Sequence, residues 1–449
     1  MINGLTILLF LILFVLILQN KQTTALMIIV FLIPINFIPF PGNGLLLNMS
    51  AYGILFFWII SKMIGKKPEG ENAMVFRLWP LYTMICMGLI FGLINSGQIQ
   101  RYDTFAKATP ENQMMNITVF IFIVIIFAKI FNQYAKEQDV QRKLISAFIA
   151  SSFFHLISNL ASVTFLRSIV PQFLISKPTI TYESTFGIVI PRYGARLGSY
   201  EFVADFALIV MAFALINLAY GRAKWLSLGG IVASLIIGIM SGTRSLYVIL
   251  AIFILVILYY QRRKYTTAIK YIGIVGVMAV VLSPIIYNYI QNSPLFARIL
   301  DTIYRYQMYG FVGASNRNFE AGFDSLVNFG SIFGLGSYFL YTLGPSEIVS
   351  HNLLYAMFGK YGLFGVVFML MLFYKGYSGS KRIMKISAEE RIRSEAIFFI
   401  AVLFALFAQE MKYSFIRDIS SILVYTFFFC TLFMFTNSTN IVENQPAHE

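Results

Sequence analysis

Charge is scarce in this sequence: only 12% of its 449 residues are Asp, Glu, Lys or Arg, about half the usual fraction of a soluble globular domain. A chain so poor in charge and 58% hydrophobic, with a mean hydropathy of +0.74, excludes a water-soluble globule. Cysteine is nearly absent as well. Cys86 and Cys430 both sit inside apolar runs, so neither a disulfide framework nor a cysteine metal site can be built from them. Histidine is limited to three residues, of which His448 lies in a polar tail and His155 inside the apolar run "SSFFHLISNL", where a satisfied core histidine is expected. The first apolar run lacks a basic flank and leads directly into a second, so no cleavable signal is expected.

What the chain has instead is length of apolar sequence. A membrane-crossing helix needs about 20 apolar residues, and thirteen runs approach this: 5–18, 24–40, 46–64, 76–94, 115–131, 144–163, 202–219, 224–240, 245–260, 267–287, 351–374, 394–408 and 419–435. Three of these are short, so the expected fold class is an all-α polytopic membrane protein of about 12–13 transmembrane helices. The expected organisation is ten helices within 1–286, a large outer loop at 287–350, three helices within 351–436, and a tail at 437–449. The connection 164–201 is a second substantial outer loop.

Alternate connections are basic. They run from Lys21 through Lys62, Lys66, Lys67 and Arg77 to the Lys375–Arg393 segment, and they hold 21 of the 34 Lys and Arg residues. Retention of cations on the cytoplasmic side then puts the N-terminus outside, the tail inside and the 287–350 loop outside. The net charge of +14 is mostly this topology signal and makes no case for nucleic acid. The inner set has thirteen Lys and eight Arg, the outer set four Lys and nine Arg. Arginine's planar fork grips phosphate oxygens in pairs, so an arginine-biased outer face points to a phosphate-bearing ligand.

Particular residues stand out against that background. In "MSGTRSLYVIL", Arg244 is the only charged side chain between Lys224 and Arg262. A charge placed there is costly unless it meets a partner or a wet cavity, or snorkels to the headgroups. In the 164–201 connection, Pro171, Pro178 and Pro191 break any long helix, and the segment is expected to fold back over the bundle. There Arg192 and Arg196 bracket Tyr193 and Gly194, and either pair with Glu201 and Asp205 or bind ligand. Within "NRNFEAGFDSLVNFG", Phe319, Phe323, Leu326 and Val327 share one helical face, with Arg317 at its start. This is a helix along the membrane surface or a loop plug. His351, with Ser350 as a plausible N-cap, opens a membrane helix whose positive end favours neutral imidazole and attracts anions.

These motifs together carry a resemblance. "SGTR" between two helices, "NRNFEAGFDSLVNFGSIFGLGS" in a large outer loop, and "SHNLLYAMFGKYGLFG" at its end resemble the O-antigen polymerase and O-antigen ligase superfamily, of GT-C-like architecture. The layout covers most of the chain; the motifs occupy about fifty residues and are degenerate, with the "HN" followed by "GKYGLFG" the most specific. The resemblance implies metal- and cofactor-independent glycan transfer from an undecaprenyl diphosphate carrier at the periplasmic face of the bacterial inner membrane. Membrane lipid surrounds the chain, and a chain-length regulator is a further partner. It assigns catalytic roles to Arg244, Arg317 and His351, and substrate binding to Arg192, Tyr193, Arg196 and Asn352. Polymerase and ligase differ only in the acceptor, a new lipid-linked repeat or lipid A-core, and the polymerase is preferred. A lipid-linked oligosaccharide flippase is the rival from another class, although no pair of similar halves with broken helices is evident. A structural subunit without activity is the fourth reading.

Overall fold

A computed structural model describes residues 2–40, 46–64, 73–94, 110–176, 178–183, 189–197, 202–243, 245–261, 304, 307–308, 353–410 and 419–443. Thirteen α-helices run through these segments: α1 (Ile2–Leu18), α2 (Gln22–Leu32), α3 (Met49–Met63), α4 (Ala73–Arg77), α5 (Trp79–Ile94), α6 (Pro110–Tyr134), α7 (Gln138–Val163), α8 (Phe202–Ala219), α9 (Lys224–Ser241), α10 (Ser245–Gln261), α11 (Leu353–Ile386), α12 (Glu390–Glu410) and α13 (Ile419–Glu443). Every expected apolar run holds a helix except 267–287, which lies outside the described residues. Among the described residues, seven helical stretches are long and apolar enough to cross a membrane: Met115–Tyr134, Gln138–Val163, Phe202–Ala219, Lys224–Ser241, Leu363–Ile386, Glu390–Gln409 and Ile419–Asn437. The last helix extends to Glu443, past the expected start of the tail.

The helical fold carries one small addition. Strands β1 (Pro178–Glu183) and β2 (Val189–Tyr193) form an antiparallel hairpin inside the 164–201 connection, with Ile180 opposite Arg192 and Tyr182 opposite Ile190. Alternating β-branched and aromatic residues in "TITY" and "VIPRY" favour extended backbone. Pro191 is tolerated because a two-stranded ribbon has only edges.

Apolar residues surround α8 and α13 on all sides, and both are enclosed by other helices, as a helix without a polar face must be. Their rings meet those of neighbouring helices. Phe148 on α7 lies 5.6 Å from Phe206 and Phe213 on α8 and 5.2 Å from Phe427 on α13, and Phe131 on α6 lies 5.8 Å from Phe427. Between lipid-embedded helices there is little hydrophobic driving force, so close packing has to supply the association. On α9 the buried face is built of small residues, Ser227, Gly230, Ala233, Ser234, Gly238 and Ser241, with Ile237 the one large side chain among them. A Cβ at Gly230 would come within 2.4 Å of Ile149, so glycine is what lets α7 approach. Large apolar side chains of α1, including Leu8, Leu11 and Val15, and of α9, including Trp225 and Val232, face outward, as a lipid-facing surface requires.

The two ends of the bundle differ in chemistry. At one end Arg142, near the start of α7, pairs with Glu395 of α12 at 2.5 Å, and Tyr220, just after α8, donates to the same Glu395 oxygen at 2.8 Å. The Arg142 guanidinium also lies 4.1 Å from the centre of the Tyr220 ring. Burial first, and then the Glu395 charge, push the Tyr220 phenol pKa upward, so it stays a donor at any physiological pH. Beside this group Asp139 accepts from Arg222 at 2.5 Å and from Lys143 at 2.7 Å. Arg142 and Lys143 of one basic connection and Arg222 of another thus meet at this end.

Removing one partner of a buried ion pair strands the other charge and costs about 3–5 kcal/mol. Glu395→Ala should therefore lower the melting temperature of the purified protein sharply. Asp139→Ala, at a half-exposed pair, should lower it much less, and Arg142→Met combined with Glu395→Leu should recover most of the loss.

Candidate functional site

The opposite end carries hydroxyls, amides and two arginines, and both arginines donate to backbone carbonyls. Helix α9 ends when Gly242 takes a left-handed conformation, φ +58°, and its N–H returns to the Ile239 carbonyl at 2.9 Å. A residue with a Cβ would be strained there, which explains the Gly of "SGT". The Ser241 hydroxyl reaches back to the Gly238 carbonyl at 2.7 Å and lies 2.9 Å from the Thr243 hydroxyl, while the Thr243 N–H donates to it at 3.2 Å. This buried, cross-tied turn leads directly into Arg244 in sequence.

The hairpin docks on that turn. Arg192 of β2 donates from Nε to the Ser241 carbonyl at 3.2 Å. A helix leaves its last carbonyls without partners and concentrates negative dipole there, so a cation at this position is favoured twice over. Tyr193 closes the same strand, opposite Pro178, and is half-buried.

Arg196 has a different occupation. Its Nη2 donates to the Ile175 carbonyl at 2.7 Å and to the Phe173 carbonyl, and its guanidinium sits 5.4 Å from the centre of the Phe37 ring. Its backbone N–H donates to His155 Nδ1 at 3.3 Å, and its carbonyl accepts from the Asn36 N–H at 2.6 Å. One residue thus joins the 164–201 connection, the segment after α2, and α7. Burial holds its guanidinium below its ordinary pKa. Beside the two readings open for Arg196, pairing with Glu201 or Asp205 and ligand binding, the structure adds a further role: its guanidinium braces backbone carbonyls. Asp205 is buried in the first turn of α8, and Glu201 lies outside the described residues.

His155 departs from the expected fully satisfied core histidine. With Nδ1 accepting from Arg196, the neutral ring must carry its proton on Nε2, and Nε2 has no partner among the described residues. One turn further along α7, the amide of the fully buried Asn159 is likewise without a partner among them. The signal was present in "SSFFHLISNL": polar residues four apart inside an apolar helix share one face. Arg244, Arg317, His351 and Asn352, and the amphipathic helix expected after Arg317, lie outside the described residues.

Further ties gather the same end. Asn48, the N-cap of α3, accepts from the Ala51 N–H at 2.9 Å and donates to the Ser420 hydroxyl of α13 at 2.8 Å. Asn116 near the start of α6 accepts from the Leu46 N–H at 2.8 Å. The fold defines the class: a helical, multi-pass membrane protein with a polar end organised by a hairpin. No family model and no curated protein matches the chain.

Arg196→Ala leaves two carbonyls without their donor, a loss of about 1–3 kcal/mol for a buried group. Proteolysis within 164–201 should accelerate and the melting temperature should fall. Arg196→Lys, with a single donor head in place of the fork, should recover only part of either loss.

Proposed function

We propose that this protein is a membrane glycosyltransferase that polymerises undecaprenyl diphosphate-linked oligosaccharide repeats, with its site at the polar end of the bundle facing the periplasm. The observation that carries the reading is the docking of Arg192 on the Ser241–Thr243 turn. It joins the arginine-bearing outer connection to the segment that leads into Arg244, the solitary charge of an apolar stretch. The resemblance of "SGTR", of the Arg317 segment and of "SHNLLYAMFGKYGLFG" to the O-antigen polymerase and ligase superfamily supplies the chemistry.

In this mechanism the acceptor hydroxyl attacks the anomeric carbon of the donor sugar. The bond from that carbon to the diphosphate oxygen breaks, and the diphosphate leaves with the electron pair. Arg244 and Arg317 neutralise the charge growing on the leaving group, where fixed donors in a water-poor site act most strongly. His351 takes the proton of the attacking hydroxyl, a contribution of about 10²- to 10⁴-fold in rate, and Asn352 orients the sugar beside it. Arg192 and Tyr193 position the second lipid-linked chain. Arg196 acts through the fold, by holding the connection on which they are carried.

The test is surface-glycan laddering in a strain lacking the gene, complemented with His351→Ala, Arg244→Ala or Arg317→Ala at verified expression. Collapse of the ladder to one attached repeat is the expected outcome. Loss of all attached glycan with lipid-linked polymer retained would reassign the protein as a ligase, repeats held at the inner face would reassign it as a flippase, and a normal ladder in all three would overturn the site. The orientation has its own check. Alkaline phosphatase fused within 164–201 should be active, and the same enzyme fused at Arg222 should be inactive.

A further inference from the structure

The basic end holds a second group of cations, whose charges the ion pairs there leave uncompensated. Arg77 ends α4, and its Nη1 lies 3.4 Å from the Thr436 hydroxyl of α13. Thr436 packs on Gly379 of α11 so closely that a Cβ at that glycine would lie 2.9 Å from its methyl carbon. Lys375, Gly379 and Arg382 are spaced i, i+4 and i+7, so both cations share the face of α11 on which Thr436 rests. Lys375 Nζ stands 5.0 Å from the centre of the Trp79 ring at the start of α5. Arg77, Lys375 and Arg382 therefore surround one glycine and one hydroxyl, although more than 290 residues separate the first from the others.

No carboxylate answers them among the described residues. The ion pairs there join Arg142 to Glu395 and both Arg222 and Lys143 to Asp139. Arg77 feels the like charge of Arg382, and Lys375 that of Arg77. Like charges repel, the half-buried Arg77 and Lys375 more strongly than the exposed Arg382, so a fold that assembles three of them gains from an anion shared among them. Trp79 beside them is exposed, as interfacial tryptophans are at the level of lipid headgroups.

We infer that Arg77, Lys375 and Arg382 form a binding site for the phosphate of an anionic phospholipid headgroup at the basic end of the bundle, opposite the proposed glycan site. The phosphate oxygens accept from the two guanidinium forks and the ammonium, the acyl chains run along the exposed apolar flank of α11, and Trp79 lies at the headgroup level. A zwitterionic lipid carries the same phosphate beside its own cation, which the cluster repels. This makes the site selective for acidic lipid.

Native mass spectrometry of the full chain in neutral detergent tests this, with phosphatidylglycerol, phosphatidylcholine and inorganic phosphate as probes. The wild type should retain phosphatidylglycerol in preference to phosphatidylcholine. At about 1 kcal/mol per cation near a lipid surface, each lost charge should weaken binding about five-fold. Arg77→Gln with Lys375→Gln and Arg382→Gln should thus lose about 10²-fold in affinity. Lys62→Gln with Lys136→Gln and Lys224→Gln removes the same charge from exposed positions at the same end, and should lose far less. If the triple cluster variant fails to fold, the exposed Arg382→Gln alone should show the five-fold step. Equal losses in the two triple variants, or equal retention of the two lipids, would overturn the site. Displacement of phosphatidylglycerol by millimolar inorganic phosphate would overturn the lipid assignment in favour of a soluble phosphate compound.

Discussion

Inside hydrocarbon a polar group cannot fall back on solvent, and an unmet N–H, carbonyl or charge costs several kcal/mol. This requirement accounts for much of the detail in the bundle. Buried serines and threonines turn their hydroxyls to the carbonyl three or four residues back in the same helix, as Ser151, Ser152, Ser234, Thr426 and Thr431 do. The buried Arg142 and Glu395 are tolerable only together, with Tyr220 sharing the same carboxylate oxygen. Some side chains instead cross to another helix and become ties. Asn48 to Ser420 and Asn217 to Ser146 are two such crossings.

The same requirement shapes the two ends differently. At the basic end ion pairs clamp α7 and α12 to the connections beside them, while Arg77, Lys375 and Arg382 stand outside those pairs. At the polar end the arginines are met by carbonyls. Arg192 closes the C-terminus of α9, and Arg196 holds the 164–201 connection to α7 and to the segment after α2. A carbonyl brace is neutral on the acceptor side, so these contacts fix the position of a guanidinium without supplying a countercharge of their own.

Between the ends, shape replaces chemistry. Small residues on α9 admit α7 and α8, and phenylalanines from α6, α7, α8 and α13 fill the centre through edge-on and tilted contacts. None of these positions needs a particular residue so long as volume and approach are kept. A chain built in this way presents few recognisable motifs outside its polar turns. This fits a resemblance that is confined to three short segments.

How much could be read beforehand follows from which forces are local. Apolar runs specify helices because a backbone in lipid must satisfy itself within the segment. For that reason twelve of the thirteen runs hold helices among the described residues. "SGT" before Arg244 reads as a turn because only glycine takes the left-handed cap without strain. The hairpin in 164–201 was not foreseen, since its strands are five or six residues long and their proline and loop context masks the alternation. Arg196 as a brace, His155 as a half-met histidine, and the gathering of Arg77, Lys375 and Arg382 were beyond reach for another reason. The first two depend on backbone carbonyls and N–H groups, which every residue carries and no sequence pattern marks. The third brings together helices about three hundred residues apart, and that juxtaposition exists only once α4, α11 and α13 have packed against one another.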